Sequence, residues 1–268
     1  MAHIYETIII GATPEGLDLA EQLSGEGRKT IIISSHFRYR TSRHKLNGIE
    51  LLEATAVFLS FSHGLFGVNV ETTTSKGAIF GCNVVFATGT KPIKSSLKNQ
   101  NIVYKAIDLI GKHKSEPVVI YGNNDTAVSY ALDLAKRYCY VYLCTPDFEL
   151  GNNKRQVKKI NETANIVHLQ GCNITGCKND KEGKLVEVSL DTYTNITTKA
   201  LVVALGRNPD IPTWTKRYLS VLPNGLADVT ANCESTLVPG VYAIGAISGK
   251  TAKKDIKKLA ITLLTKFN

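Results

Sequence analysis

Short apolar runs separated by amphipathic stretches form the clearest pattern in the chain. The apolar run at 7–10 is followed by a glycine-containing turn at 11–16, an amphipathic stretch at 17–23 and a second apolar run at 30–33. This order predicts a strand, a tight turn, a helix and a parallel strand, which together form the βαβ unit of nucleotide-binding folds. In such a unit the turn leads into the N-terminus of the helix, where phosphates bind.

A second unit of the same kind begins near the middle of the chain. Residues 117–121 are apolar, residues 122–127 form another glycine-containing turn, a helix is predicted from about 128 to 137, and 140–143 predict the next strand. Two such units predict two related domains. The predicted fold class is therefore α/β, with two Rossmann-like, three-layer nucleotide-binding domains.

The remaining apolar segments predict further strands and one more helix. Period-two alternation or continuous apolar character predicts strands at 49–61, 65–73, 83–90, 185–196 and 201–209. Residues 240–246 form a last apolar run that contains two glycines. This run leads into a lysine-rich helix, which is predicted from about 251 to 267.

The composition is that of a globular protein. Of the 268 residues, 43% are hydrophobic and 21% are charged, which is enough apolar material to bury a core. No apolar run has the length of a membrane span, and the first residues lack the charged and apolar regions of a signal peptide. We therefore expect a soluble, cytoplasmic protein.

Two segments carry the whole net charge of +9. The first, 36–45, mixes cations with aromatic residues, and its candidate partner-binding residues are Arg38, Tyr39, Arg40, Arg43 and Lys45. The second, 250–268, contains the terminal helix, with Lys253, Lys254 and Lys257 as candidates. Both segments predict a surface that faces an anionic partner. An acidic protein is the favoured partner. Nucleic acid, bound through phosphate contacts and base stacking, is one alternative. The other is that 36–45 is a solvated loop without a partner.

The six cysteines and six histidines form no recognisable chemical motif. No two cysteines stand in a C-x-x-C pair, and no histidine joins a cysteine or carboxylate at the spacing of metal ligands. We interpret the cysteines as reduced, structural thiols and predict no metal site.

The order of the motifs resembles the thioredoxin reductase family of flavin-dependent pyridine-nucleotide oxidoreductases over nearly the whole chain. The motifs that carry the resemblance lie at 11–16, 87–89, 122–127, 204–209 and 240–246. The resemblance implies an FAD domain formed by both ends of the chain, 1–112 and 237–268, and an NADPH domain, 116–235, inserted into it. It also implies a homodimer.

The residues at the implied FAD site depart from the family pattern. The matching positions are Gly11, Thr13, Pro14, Gly16, Gly89, Gly245 and Ala246. Thr13 replaces the middle glycine of the turn, which lets the backbone approach the pyrophosphate. Residues 35–48 are too short to enclose a flavin ring and contain no Gly-Gly-Gln. Ala246 replaces the aspartate that binds the ribityl chain in the family.

The implied dithiol and NADPH sites are altered as well. Residues 105–108, Lys-Ala-Ile-Asp, stand where the family has C-x-x-C, so thiol–disulfide exchange by the family mechanism is excluded. The matching NADPH positions are Gly122, Asn124, Thr126 and Ala127. Asn124 replaces the middle glycine, and residues 145–147, Thr-Pro-Asp, replace the His-Arg-Arg that pairs with the 2′-phosphate.

These departures favour a chain that keeps the scaffold of the family without its chemistry. We expect a non-catalytic protein with no cofactor that binds a partner, or its own copies, within a viral or other large assembly. A composition rich in Lys, Asn and Ile fits an AT-rich genome, such as a mobile or viral one. The first alternative is an FAD-dependent NAD(P)H oxidoreductase of the dithiol-less ferredoxin or flavodoxin reductase type. The second is an adenine-nucleotide sensor that uses residues 122–127.

Overall fold

A computed structural model describes residues 3–37, 48–97, 99, 101–109, 111, 116–138 and 140–266. The chain divides into two compact units. Both ends of the chain form unit one, Met1–Lys91 and Pro209–Asn268, and the intervening Pro92–Asn208 forms unit two.

The unit boundaries differ from the predicted domain boundaries. Residues 92–112 belong to unit two, and residues 209–235 belong to unit one. The reason is side-chain packing: Trp214 and Leu219 pack in a core of unit one, whereas Leu109 is buried in a core of unit two. These connecting segments contain little regular structure, so their apolar pattern does not indicate which core they join.

Unit one is built on a sheet in the order β3–β2–β1–β6, with β17 beside β6. These five strands are mutually parallel: β1 (Ile4–Ile10), β2 (Thr30–Ser34), β3 (Ile49–Glu53), β6 (Lys76–Phe86) and β17 (Val241–Ala243). Two antiparallel strands, β5 (Leu65–Glu71) and β4 (Thr55–Ser62), continue the sheet from β6.

Both faces of this sheet are covered, so β1 alternates between two cores. Ile9 packs with the helices α1 (Pro14–Gly25) and α4 (Lys253–Thr265). Ile8 and Ile10 point to the opposite face, where they join residues of β4 and β5. Because successive side chains of a strand point to opposite faces, the apolar run at 8–10 supplies both cores and gives this three-layer arrangement.

The predicted strand 49–61 is two strands. Ala54 separates β3 from β4, and its N–H donates to the carbonyl oxygen of Ser34 at 3.1 Å. Because β3 runs parallel to β2 whereas β4 runs antiparallel to β5, the chain changes its strand partner at this residue.

Unit two repeats the layered plan. Its parallel sheet has the order β11–β10–β9–β15–β8, formed by β8 (Ile102–Val103), β9 (Val118–Tyr121), β10 (Val141–Thr145), β11 (Ile166–Gln170) and β15 (Ala200–Val203). One core contains residues of α2 (Asp125–Ala135) and α3 (Lys154–Glu162). The other contains residues of a small antiparallel sheet of β12 (Ile174–Asn179), β13 (Leu185–Leu190) and β14 (Ile196–Thr197).

These features confirm the predicted α/β class with two Rossmann-like units. A separate pair of short strands, β7 (Thr90–Pro92) and β16 (Arg207–Pro209), completes the strand list. In each unit the strand order reverses beside the first strand, and the glycine turn follows that strand at the edge where such folds bind ligands. Within the described part of the chain, every helix is too short or too polar to cross a bilayer.

Candidate functional site: the two glycine turns

The first glycine turn, residues 11–16, brings α1 close to the end of β6. Gly11 has φ +102°, and a Cβ added there would lie 2.3 Å from the carbonyl oxygen of Ala87. A Cβ on Gly16 would lie 2.8 Å from that of Ala87. Both glycines are therefore required by the packing of strand, turn and helix, whether or not a cofactor is bound.

Thr13 is buried in this turn, as the N-cap of α1. Its Oγ1 accepts a long hydrogen bond, 3.4 Å, from the N–H of Gly16. Its methyl carbon lies 2.9 Å from the position that a Cβ would take on Gly89. Thr13, 9% exposed, thus has a side chain packed into the turn at the position where the family has a glycine that leaves room for a phosphate.

Glu15, which the sequence analysis did not single out, lies at the same place. It is in the first turn of α1, and its Oε2 is 3.0 Å from the position of a Cβ on Gly245. A carboxylate is stabilised there because the helix N-terminus carries partial positive charge, which is also why a pyrophosphate binds there. An acidic residue two positions after an N-cap is the only sequence signal of this arrangement.

In the C-terminal part of the implied FAD site, Ala246 supplies no side-chain acceptor at the position of the family aspartate. The N–H of Gly245 donates to the carbonyl oxygen of Lys250 at 2.8 Å, and the N–H of Ser248 donates back to that of Gly245 at 3.1 Å. Ala246 is exposed and presents only a methyl group. The structure thus brings Gly11, Thr13, Gly16, Gly89 and Gly245 together, with the side chains of Thr13 and Glu15 lying among them.

The second glycine turn, residues 122–127, has the same backbone construction in unit two. Gly122 has φ +147°, and a Cβ added there would lie 2.2 Å from the carbonyl oxygen of Ala204. Asn124 is the N-cap of α2. Its Oδ1 accepts hydrogen bonds from the N–H groups of Thr126 at 3.0 Å and Ala127 at 3.1 Å, and its Nδ2 donates to Ala204 O at 2.6 Å.

Residues 147–153, which we term the covering segment, lie against this turn. Asp125 Oδ1 accepts hydrogen bonds from the N–H groups of Asn152 at 2.7 Å and Asn153 at 3.1 Å. These bonds hold the pKa of the Asp125 carboxyl below its ordinary value, because they stabilise its charged form. The ionised carboxylate of Asp125 therefore holds the covering segment against the turn.

Two further bonds fix the covering segment. The N–H of Gly151 donates to the carbonyl oxygen of Asn123 at 2.6 Å, and Asn123 Nδ2 donates to Asp147 Oδ2 at 2.9 Å. Leu150 is buried in the core beside α2. Asp147, which stands where the family has a cation that pairs with the 2′-phosphate, is therefore a hydrogen-bond partner of the turn itself.

The segment that matches the family dithiol has a structural role. Residues Ala106–Leu109 form a 3-10 helix whose Ala106 and Leu109 are buried in a core of unit two. The hydroxyl of Tyr138 donates to the carbonyl oxygen of Leu109 at 2.8 Å. Burial raises the pKa of every described cysteine thiol, so none is an activated nucleophile: Cys82, Cys144, Cys172, Cys177 and Cys233.

The two predicted basic surfaces have different outcomes. Arg38, Tyr39, Arg40, Arg43 and Lys45 lie outside the described residues. On α4, Lys253, Lys254 and Lys257 are exposed, but Lys253 and Lys257 line a groove together with Asp18 and Glu21 of α1. Lys253 and Lys257 therefore lie beside acidic side chains of their own unit. The described residues contain no cluster of three or more metal-ligating side chains.

A family model described as pyridine nucleotide-disulphide oxidoreductase matches residues 45–261. The chain is 25% identical over 224 residues to a dihydrolipoyl dehydrogenase of Buchnera aphidicola, covering 78% of this chain and 46% of that protein. It is 26% identical over 207 residues to ferredoxin–NADP reductase 1 of Lysinibacillus sphaericus, covering 70% and 58%. The chain thus spans about half the length of the curated relatives it matches.

Solved structures have the same fold. Thioredoxin reductase from T. acidophilum matches with a TM-score of 0.84 at 17% identity, over 98% of this chain and 99% of that one. Thioredoxin reductase from Lactococcus lactis matches with a TM-score of 0.83 at 14% identity, over 98% of both chains. At this level of identity the likeness concerns the fold alone.

Proposed function

The chain belongs to the family of pyridine nucleotide-disulphide oxidoreductases, and we propose that it is a non-catalytic member that serves as a binding component of an assembly. In this proposal it has the oxidoreductase fold, binds no FAD in unit one and carries out no disulfide reduction. Its basic segments contact an acidic protein partner or further copies of the chain.

The observation that carries the proposal is the filling of the first glycine turn. The family places a pyrophosphate at the N-terminus of the first helix, where this chain has the buried Thr13 side chain and the Glu15 carboxylate. A phosphate brought to this point would meet a like charge and a methyl group instead of free N–H groups. Ala246 removes a further contact.

The second support is the absence of a redox dithiol at 105–108, where buried Ala106 and Leu109 occupy the matching helix. A dithiol requires a thiolate beside a resolving thiol, and the described thiols have raised pKa values. Both observations support a chain that does not use the dithiol route, and direct electron transfer through a flavin is a separate question.

A second candidate function is therefore an FAD-dependent NAD(P)H oxidoreductase without a dithiol. The likeness to ferredoxin–NADP reductase 1 over 70% of the chain favours it, because that relative is named as a reductase that acts between ferredoxin and NADP. This alternative requires FAD to displace the Glu15 side chain from Gly245.

Oxidation of NADH and NADPH by the purified chain distinguishes the two functions. With added FAD and ferricyanide as electron acceptor, we expect no rate above that of free FAD. The double variant Thr13→Gly, Glu15→Ala, which restores space at the turn, is the matched control for flavin binding. A flavin-dependent wild-type rate that saturates with NAD(P)H would contradict the non-catalytic proposal.

Binding of a partner through 36–45 has its own test. Changing Arg38, Arg40 and Arg43 to alanine is expected to weaken binding to polyglutamate and to reduce its salt dependence. The matched control replaces Lys178, Lys181 and Lys184, three exposed lysines of the β12–β13 hairpin, with the same change of charge. Equal effects of both triple variants would contradict a specific site, and stronger binding of single-stranded DNA than of polyglutamate would favour the nucleic-acid alternative.

A further inference from the structure

We propose that the nucleotide-binding turn of unit two is occupied by the chain itself: Asn124 takes the place of a phosphate, and Asp125 fastens residues 147–153 over it, so that unit two binds no NAD(P)H or other adenine nucleotide. This inference goes beyond the proposed function, which concerns unit one. It opposes the idea of a nucleotide sensor built on Gly122, Thr126 and Ala127.

Two N–H groups at the N-terminus of α2 already have hydrogen-bond partners. A phosphate binds there by accepting hydrogen bonds from the first free N–H groups. In α2 the N–H groups of Thr126 and Ala127 already donate to Asn124 Oδ1, at 3.0 and 3.1 Å. A phosphate oxygen would have to break both bonds to reach these donors.

Hydrogen bonds fix the orientation of the Asn124 side chain. Its Nδ2 donates to the carbonyl oxygen of Ala204 at 2.6 Å, so both ends of the amide have partners. Ala204 directly follows β15, which means that the side chain ties the start of α2 to the end of a neighbouring strand. Rotating Asn124 away would leave the carbonyl of the buried Ala204 and two backbone N–H groups without these bonds.

The covering segment, residues 147–153, is bonded to the turn and brings a further carboxylate to it. Asp125 Oδ1 holds the N–H groups of Asn152 and Asn153, and a Cβ on Gly151 would lie only 2.8 Å from the same oxygen. The segment also contributes the carboxylate of Asp147, bound to Asn123. A nucleotide phosphate would therefore approach two carboxylates and no cation among these residues, which opposes its binding.

Calorimetric titration with NADH and ADP-ribose tests the inference. Wild-type protein is expected to show no saturable heat up to millimolar ligand. The double variant Asn124→Gly, Asp125→Ala restores a glycine in the turn and releases the covering segment, and we expect it to bind ADP-ribose at least about tenfold more tightly than wild type. Glycine is an acceptable N-cap, so the helix is expected to persist.

The matched control changes Asn179 to glycine and Asp180 to alanine. It makes the same two changes in the β12–β13 hairpin of unit two, where Asp180 Oδ1 also accepts hydrogen bonds from two backbone N–H groups, those of Glu182 and Lys184, at 2.9 Å each. This control is expected to bind no better than wild type. Saturable wild-type binding at micromolar ligand, a folded double variant that gains nothing, or an equal gain in the control would each overturn the inference.

Amide hydrogen exchange of the wild-type protein decides the question if the double variant does not fold. Exchange at Thr126 and Ala127 is expected to be slow and unchanged by millimolar ADP-ribose, because Asn124 already holds both groups. Slower exchange on addition of the ligand would overturn the inference. Flavin bound to unit one would contradict the proposed function and would leave these outcomes for unit two unchanged.

Discussion

The two glycine turns have the same backbone construction but are filled to different degrees. In each turn the first glycine has positive φ and faces the carbonyl oxygen of the residue that follows a neighbouring parallel strand, β6 in unit one and β15 in unit two. An added Cβ would lie 2.3 Å from this oxygen in unit one and 2.2 Å from it in unit two. In unit one a single bond of 3.4 Å caps the helix. In unit two a side chain accepts two bonds of 3.0 and 3.1 Å.

This comparison separates the requirements of the fold from those of the cofactor. Gly11 and Gly122 allow two strand ends to approach, so a chain that has lost its cofactor must still keep them. Thr13 and Asn124 stand at the positions that only a phosphate requires to be glycine. A retained first glycine therefore indicates the Rossmann topology and does not by itself indicate a bound dinucleotide.

The largest expected effect comes from filling the strand contact. Gly11→Ala and Gly122→Ala are each expected to destabilise their own unit by about 3 kcal/mol or more, because a Cβ would collide with backbone at a positive φ. Trp214 is the single tryptophan and packs against Phe86 in unit one. Urea unfolding followed by its fluorescence should therefore respond to Gly11→Ala, while circular dichroism responds to both.

Gly27→Ala is the matched control for this pair. Gly27 has φ +75° and no atom within 4 Å of an added Cβ, so the cost is expected to be about 1 kcal/mol from the backbone alone. Similar losses at all three glycines would contradict the role of the strand contact.

Removal of either helix cap, Thr13 or Asn124, is expected to lower the free energy of unfolding by less than the glycine substitutions do. Asn124→Ala is expected to cost about 1–2 kcal/mol and Thr13→Ala about 0.5 kcal/mol, since Asn124 satisfies two N–H groups at shorter distances. Urea unfolding with fluorescence and circular dichroism measures both. A larger loss for Thr13→Ala would reverse the proposed order of the two turns.

The smallest expected effect is a pH dependence confined to unit two. Because hydrogen bonds lower the pKa of Asp125 in the folded protein from an ordinary value of 3.8, its contribution to stability is present above that value and is lost as pH falls through the folded pKa. The Tm difference between wild type and Asp125→Asn should be constant down to about pH 5 and shrink under stronger acid. A difference that grows with acidification would contradict this sign.

The sequence predicted the elements whose apolar periodicity is strong. The strands and helices around both glycine turns are of this kind, because β1 and β9 are buried on both faces. The helix α3 (Lys154–Glu162) was not predicted, since its apolar residues are few. Its signal was an N-cap, Asn153, followed by Val157 and Ile160 at helical spacing.

Substitutions in the candidate site were visible in the sequence, but their geometry was not. Thr13 and Asn124 were identified as replacements of glycine, whereas their burial and capping depend on the folded turn. Glu15 was missed because its partner, Gly245, is distant in sequence. The covering segment was missed because backbone N–H groups, which every residue but proline has, attach it to Asp125.

Flavin content tests the central claim most directly. The purified chain would be incubated with excess FAD, separated from free cofactor by gel filtration, and examined by visible absorption against the variant Thr13→Gly, Glu15→Ala. The account predicts a colourless wild-type protein without flavin bands. One flavin retained per wild-type chain would contradict the claim that the first glycine turn is filled by the protein itself.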